Sequence, residues 1–128
     1  MRIVWKNLPL AMHRNAEPAA RAAAAAYQQG KFWEFHDKLF ANQKNLNEES
    51  YMKYARELGL DMDKFARDMS VVSTTTKKLI DSDKSEASSL GITGTPAFFV
   101  NGRFLSGARP FEDFAKLIDD ALKRPPIK

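Results

Sequence analysis

Six residues, Gly91-Ile92-Thr93-Gly94-Thr95-Pro96, divide this chain into two patterns that cannot belong to one kind of element. Upstream, apolar residues recur at helical spacing from about 16 to 90. Downstream they crowd into two short runs, Ala97–Val100 and Phe104-Leu105, separated by Asn101-Gly102. Asn-Gly between apolar runs is the strongest short-range hairpin signal, because both turn positions need positive φ. A proline directly before a strand removes a ladder donor, so it belongs at the strand's start or on a sheet edge. From Pro110 the helical period returns, with Phe111, Phe114, Leu117, Ile118 and Ala121 on one face. The chain must therefore place a β–β–α module, about 95–123, after a helical body.

The helical body divides at its caps. Ala16 to Gln29 is an alanine-rich helix with Pro18 near its start and Gly30 as the residue beyond its end. So many alanines point to close approach by neighbouring elements. Lys31 to Phe40 is a second helix, carrying Phe32, Trp33, Phe35 and Phe40, a cluster that reads as the core of this part rather than a ligand groove. Asn47 caps a third helix, with Glu48 and Glu49 in its first turn and a stop at Gly59. Asp61 caps a short fourth, with Met62, Phe65 and Met69 inward. A fifth runs from near Ser73 to about Ser89, mostly polar, with Ile80 and Ala87 inward. Ahead of all these, Ile3-Val4-Trp5 is β-favouring and predicts a strand at about 2–6. Arg124-Pro125-Pro126 ends the last helix and reads as a linker.

Several chemistries are excluded or disfavoured. The 128 residues contain no cysteine, so there is no disulfide scaffold and no thiolate metal site. His13 and His36 are too far apart for a helical zinc pair, and no metal or cofactor is expected. His13 lacks a serine, cysteine or carboxylate partner beyond Glu17 and reads as a hydrogen-bonding residue at a helix start. His36, between Phe35 and Asp37, reads as a histidine packed at the core's edge. Ser73-Thr74-Thr75-Thr76 has no adjacent base and reads as helix capping. The net charge of +4 is spread along the chain instead of gathered on one face, so nucleic acid is not an expected partner. No run of 18 apolar residues exists, so no membrane insertion is expected. No signal-peptide pattern opens the chain.

The stretch from Gly91 through Gly94-Thr95-Pro96 to Asn101-Gly102 resembles the cis-proline loop and following strands of the DsbA-like thioredoxin-fold proteins. Two upstream stretches agree with it: Trp5-Lys6-Asn7-Leu8-Pro9-Leu10 with His13 and Ala16, and Gln29-Gly30-Lys31 through Phe40. The three motifs occur in the family's order across nearly the whole chain. The resemblance implies an α/β fold: a single thioredoxin-like domain over 1–128, its sheet interrupted by a helical insertion at about 16–90. It implies protein thiol–disulfide oxidoreductase activity for the parent, with extended or unfolded proteins as substrates and a periplasmic or extracytoplasmic location.

The chain departs from that pattern in one decisive way. The family's Cys-x-x-Cys lies at the start of a helix between a first strand and the strand read here at 2–6, and this sequence does not contain it. The resemblance thus implies a fragment whose catalytic residues are none, with Met1 inside a longer protein. It leaves Gly94, Thr95 and Pro96 as substrate-binding residues, Thr95 offering backbone hydrogen bonds to an extended peptide. A non-catalytic peptide-binding module is the alternative, as is a relative of the kappa-class glutathione transferases and isomerases. Without the family's first strand, which lies between 2–6 and 97–100, two strand edges would stand unpaired. The expectation is a strand-exchanged homodimer, or a rearranged segment 1–10 pairing with 97–100 directly.

Overall fold

The computed structural model describes residues 1–124. They form two compact units, 1–90 and 91 onward. The first is helical: α1 Ala16–Tyr27, α2 Phe32–Ala41, α3 Glu48–Glu57, α4 Met62–Met69 and α5 Thr74–Ser89. The second is β1 Ala97–Val100, β2 Arg103–Ser106 and α6 Phe111–Lys123. Pro125 and Pro126, read as a linker, lie outside the described residues.

Helices α3, α4 and α5 start where the sequence places them, because side chains satisfy the free amides there. The Asn47 side chain accepts from the Ser50 amide at 2.8 Å, and Asp61 from that of Lys64 at 3.0 Å. Ser73 accepts from Thr76. Gly30 and Gly59, with φ of 75° and 72°, let the chain leave α1 and α3 in a left-handed turn. Helix α1 ends at Tyr27, two residues before the expected Gln29. The Gln29 side chain is engaged elsewhere: it donates to the Asp61 carbonyl at 3.1 Å and accepts from the Asp61 amide at 2.8 Å.

The alanine run is the centre of the first unit. Ala22 through Ala26 are all buried, and α2, α3, α4 and α5 each pack on α1. A one-carbon side chain permits that approach on every side, at the cost of little apolar area per residue. The bulk comes from the surrounding helices: Phe35, Tyr51, Tyr54 and Phe65 close around it, with Phe35 and Phe65 rings 5.6 Å apart. Burying one such side chain contributes about 1.5–3 kcal/mol.

Three expectations need correction. No strand forms over 2–6; residues 1–9 make no backbone–backbone hydrogen bond among the described residues. A strand is defined by a partner's ladder, and among the described residues the only pairing is β1 with β2. The α2 aromatics do not make one core. Phe35 is fully buried, whereas Trp33 and Phe40 are 43% and 56% exposed. Helical spacing is the reason: Phe35 and Leu39 share the stripe facing α1, and Phe32, His36 and Phe40 share another. Phe111, placed on the inward face of α6, is 77% exposed, because it stands in the first turn before the helix meets the hairpin.

Candidate functional site: the loop and edge at the hairpin

Strand β1 runs antiparallel to β2, with Ala97 opposite Ser106, Phe98 opposite Leu105, Phe99 opposite Phe104 and Val100 opposite Arg103. Asn101 and Gly102, at φ of 48° and 82°, make the two-residue turn that fixes this register. The ladder continues one step past the strand: the Gly107 amide donates to the Pro96 carbonyl at 2.9 Å. Gly107 itself has φ of 85°, and its carbonyl accepts from Arg109. The Thr95–Pro96 peptide is cis.

That bond to Pro96 sets the phase of the whole edge. In an antiparallel pair, residues alternate between those that exchange hydrogen bonds with the partner and those that turn N–H and C=O away. Pro96, Phe98 and Val100 face β2. Thr95, Ala97 and Phe99 therefore turn their backbone groups outward, where β1 has no neighbouring strand among the described residues. Gly94, Thr95 and Pro96 are all exposed, and no backbone–backbone hydrogen bond uses the Thr95 amide or carbonyl. The three residues expected to bind substrate thus sit together, at the end of an open strand edge.

Both faces of the hairpin are apolar. One packs on α6 through Phe98 and Phe114, edge to face at 4.8 Å. The other carries Phe99 and Phe104, rings 5.2 Å apart and 45% and 53% exposed. No charged residue interrupts Ala97–Val100. A groove of about 380 Å³ lies beside β2 and α6, but its arginines are already matched to carboxylates, Arg103 with Asp120 at 3.3 Å and Arg109 with Asp113 at 3.8 Å.

The other residues weighed from sequence are in the helical unit. His13 is exposed, and its backbone, not its ring, builds the entry to α1: its amide donates to Leu10 and its carbonyl accepts from Ala16. The His36 ring lies 4.6 Å from Phe40 and 5.0 Å from Trp5, with Nδ1 3.0 Å from the Asp37 carboxylate. Thr76 is fully buried and its hydroxyl donates to the Asp68 carbonyl at 2.8 Å, a structural bond between α4 and α5. The outward phase of Thr95, Ala97 and Phe99 is not readable until the register is known. The Asn-Gly turn is the signal that would have given it.

A hairpin entered through proline, followed by an amphipathic helix and preceded by a helical insertion, defines a thioredoxin-like α/β fold of the DsbA type. Residues 2–119 match the DSBA-like thioredoxin domain, and the chain belongs to that family. It is similar to a solved thioredoxin-like oxidoreductase from Silicibacter pomeroyi DSS-3, with a TM-score of 0.81 and 33% identity, covering 95% of this chain and 69% of that one. It is also similar to parts of two proteins named Na(+)/H(+) antiporters: NhaA 3 of Salinispora tropica, 43% identical over 80% of this chain, and NhaA 1 of Salinispora arenicola, 39% identical over 94%. The matches span only 16% and 18% of those antiporters' lengths.

Proposed function

We propose that this chain supplies the peptide-holding wall of a DsbA-like protein thiol–disulfide oxidoreductase, and that alone it holds extended polypeptide without exchanging disulfides. The observation that carries this reading is the free, outward amide and carbonyl of Thr95 at the end of an exposed strand edge. An extended peptide laid beside Gly94-Thr95-Pro96 gains main-chain hydrogen bonds there, the mode in which a sheet edge accepts one more strand. Ala97 and Phe99 would serve the strand that completes the sheet. The likeness to a thioredoxin-like oxidoreductase supports the assignment of the parent's chemistry.

Exchange itself requires a thiolate to attack one sulfur of a disulfide and expel the other. With no cysteine, the chain has no such nucleophile, and the methionine thioethers cannot replace it. An extracytoplasmic parent would meet unfolded proteins whose thiols are being oxidised. The ion exchange in the antiporters' names is not carried over. Among the described residues no helix is long and apolar enough to cross a membrane.

The test is a titration of the isotopically labelled chain with a carboxymethylated, unfolded protein. The Thr95 and Ala97 amide resonances are expected to shift. Thr95→Pro, which removes the donor, should weaken binding by about ten-fold. In an insulin-reduction assay with dithiothreitol the chain should add nothing to the background rate. Catalysed exchange, or peptide shifts confined to the helical unit, would overturn the reading.

A further inference from the structure

Residues 5–7 have no regular structure, yet they are attached to the helical unit at two separate points. At one point the Trp5 ring lies against α2, with ring centroids 5.0 Å from His36, 5.7 Å from Phe32 and 6.4 Å from both Trp33 and Phe40. Its plane stands close to perpendicular to His36, Trp33 and Phe40, the edge-to-face geometry that aromatic rings favour. At the other point Asn7 is buried on α5. One oxygen of Asp83 accepts both the Asn7 main-chain amide at 2.9 Å and its side-chain amide at 3.0 Å. The two points are joined, since the Trp5 indole donates to the Asn7 side-chain oxygen at 3.1 Å.

Charge favours the same arrangement. Lys6 lies 3.1 Å from Glu86 and 3.8 Å from Asp83, so two acids of α5 meet the cation of this segment. The Asp83 side chain is 11% exposed and Lys6 55%, so the bonds from Asn7 are the sheltered ones and the ion pairs are screened by solvent. A carboxylate accepting two N–H bonds away from water holds them more firmly than a neutral acceptor would. Nothing else grips the backbone here, since residues 1–9 form no backbone–backbone hydrogen bond among the described residues.

We propose that residues 5–7 are a strap, latched by Asp83, that closes over an aromatic ledge on α2. Closed, it covers part of Phe32 and His36. Open, it uncovers a continuous row of four rings, Phe32, Trp33, His36 and Phe40, and frees the β-favouring residues Ile3 and Val4 ahead of it. Asp83 is a positioning residue: it acts through Asn7 on Trp5. Because the Asn7 amide is committed to Asp83, any strand that residues 2–6 join must end before residue 7. The proposal concerns the helical unit alone and does not depend on the peptide-binding reading of Thr95.

The chain reports on its own strap, because Trp5 and Trp33 are its only tryptophans and both lie in this cluster. Asp83→Ala is expected to move tryptophan emission to the red, roughly double its quenching by acrylamide and release the Asn7 amide to exchange about ten-fold faster, with the helical circular dichroism unchanged. Asp83→Asn keeps an oxygen that can accept both bonds, and should retain most of the closed signal. Asn7→Ala, a change on the strap and not on α5, should reproduce the opening. Unchanged emission and quenching in both alanine variants would overturn the proposal. So would loss of the helical signal in Asn7→Ala, since a strap can be lifted without melting the helices beneath it.

Discussion

Tyr51 shows how burial can dominate a residue's behaviour. It is 2% exposed among Phe35, Tyr54 and Ala55, and its hydroxyl has no partner among the described residues. Desolvation pushes its ionisation up, with Tyr54 adding to the effect and Arg21 opposing it. A hydroxyl buried without a bond offsets the stability its ring provides. Tyr51→Phe is therefore expected to leave the midpoint of urea unfolding unchanged or raised, whereas Phe35→Ala should lower stability by about 3–5 kcal/mol. Asp61 is the contrasting polar residue. Gln29 holds its main chain and its side chain caps α4, so Asp61→Ala, which removes only the cap, should cost about 1 kcal/mol in the same measurement. Glu57 gives a pH dependence with a definite sign. Its hydrogen bond from Lys38, at 2.7 Å, is the main cause holding its carboxyl below the ordinary value. A carboxyl depressed on folding stabilises above the unfolded-state pKa, and that contribution is lost as pH falls through the folded one. Thermal scans at pH 7 and pH 3 should thus differ less in Glu57→Gln than in the parent chain.

At the scale of elements, the hairpin depends on its turn and the helical unit on its alanines. Gly102 has φ of 82°, where a β-branched side chain is strained, so Gly102→Val is expected to remove amide protection from Val100 and Arg103 while sparing that of α1. Hydrogen exchange resolved by residue would show the two effects separately. Helix α1 is sensitive in another way. Ala22, Ala25 and Ala26 are fully buried with neighbours on several sides, so added methyl groups have nowhere to go. The N-terminal segment stands apart from both. Its residues Ile3, Val4 and Trp5 are apolar and β-favouring, but a strand needs hydrogen bonds from another strand, and instead Trp5 and Asn7 find partners on α2 and α5.

At the scale of the whole chain, the open edge of β1 is the feature with consequences. Ala97–Val100 is uncharged, exposes Phe99, and lacks the lysine, proline or bulge with which edge strands normally avoid pairing. Light scattering should show association growing with concentration, and Phe99→Lys should suppress it. A monomer at all concentrations would remove the expectation of strand exchange between copies.

The sequence by itself determined whatever is decided within a few residues. Asn47, Asp61 and Ser73 start helices because a side chain can reach the amide three positions on. Asn101-Gly102 closes the hairpin because its backbone preference is local. Thr95 and Pro96 were legible as a loop entering a strand for the same reason. Only the tertiary structure decided which of the α2 aromatics became core, why 2–6 is not a strand, and that Asn7, Thr76 and Tyr51 are buried. Those outcomes rest on partners such as Asp83, 76 positions from Asn7, and a distant partner leaves no pattern in the residues beside it.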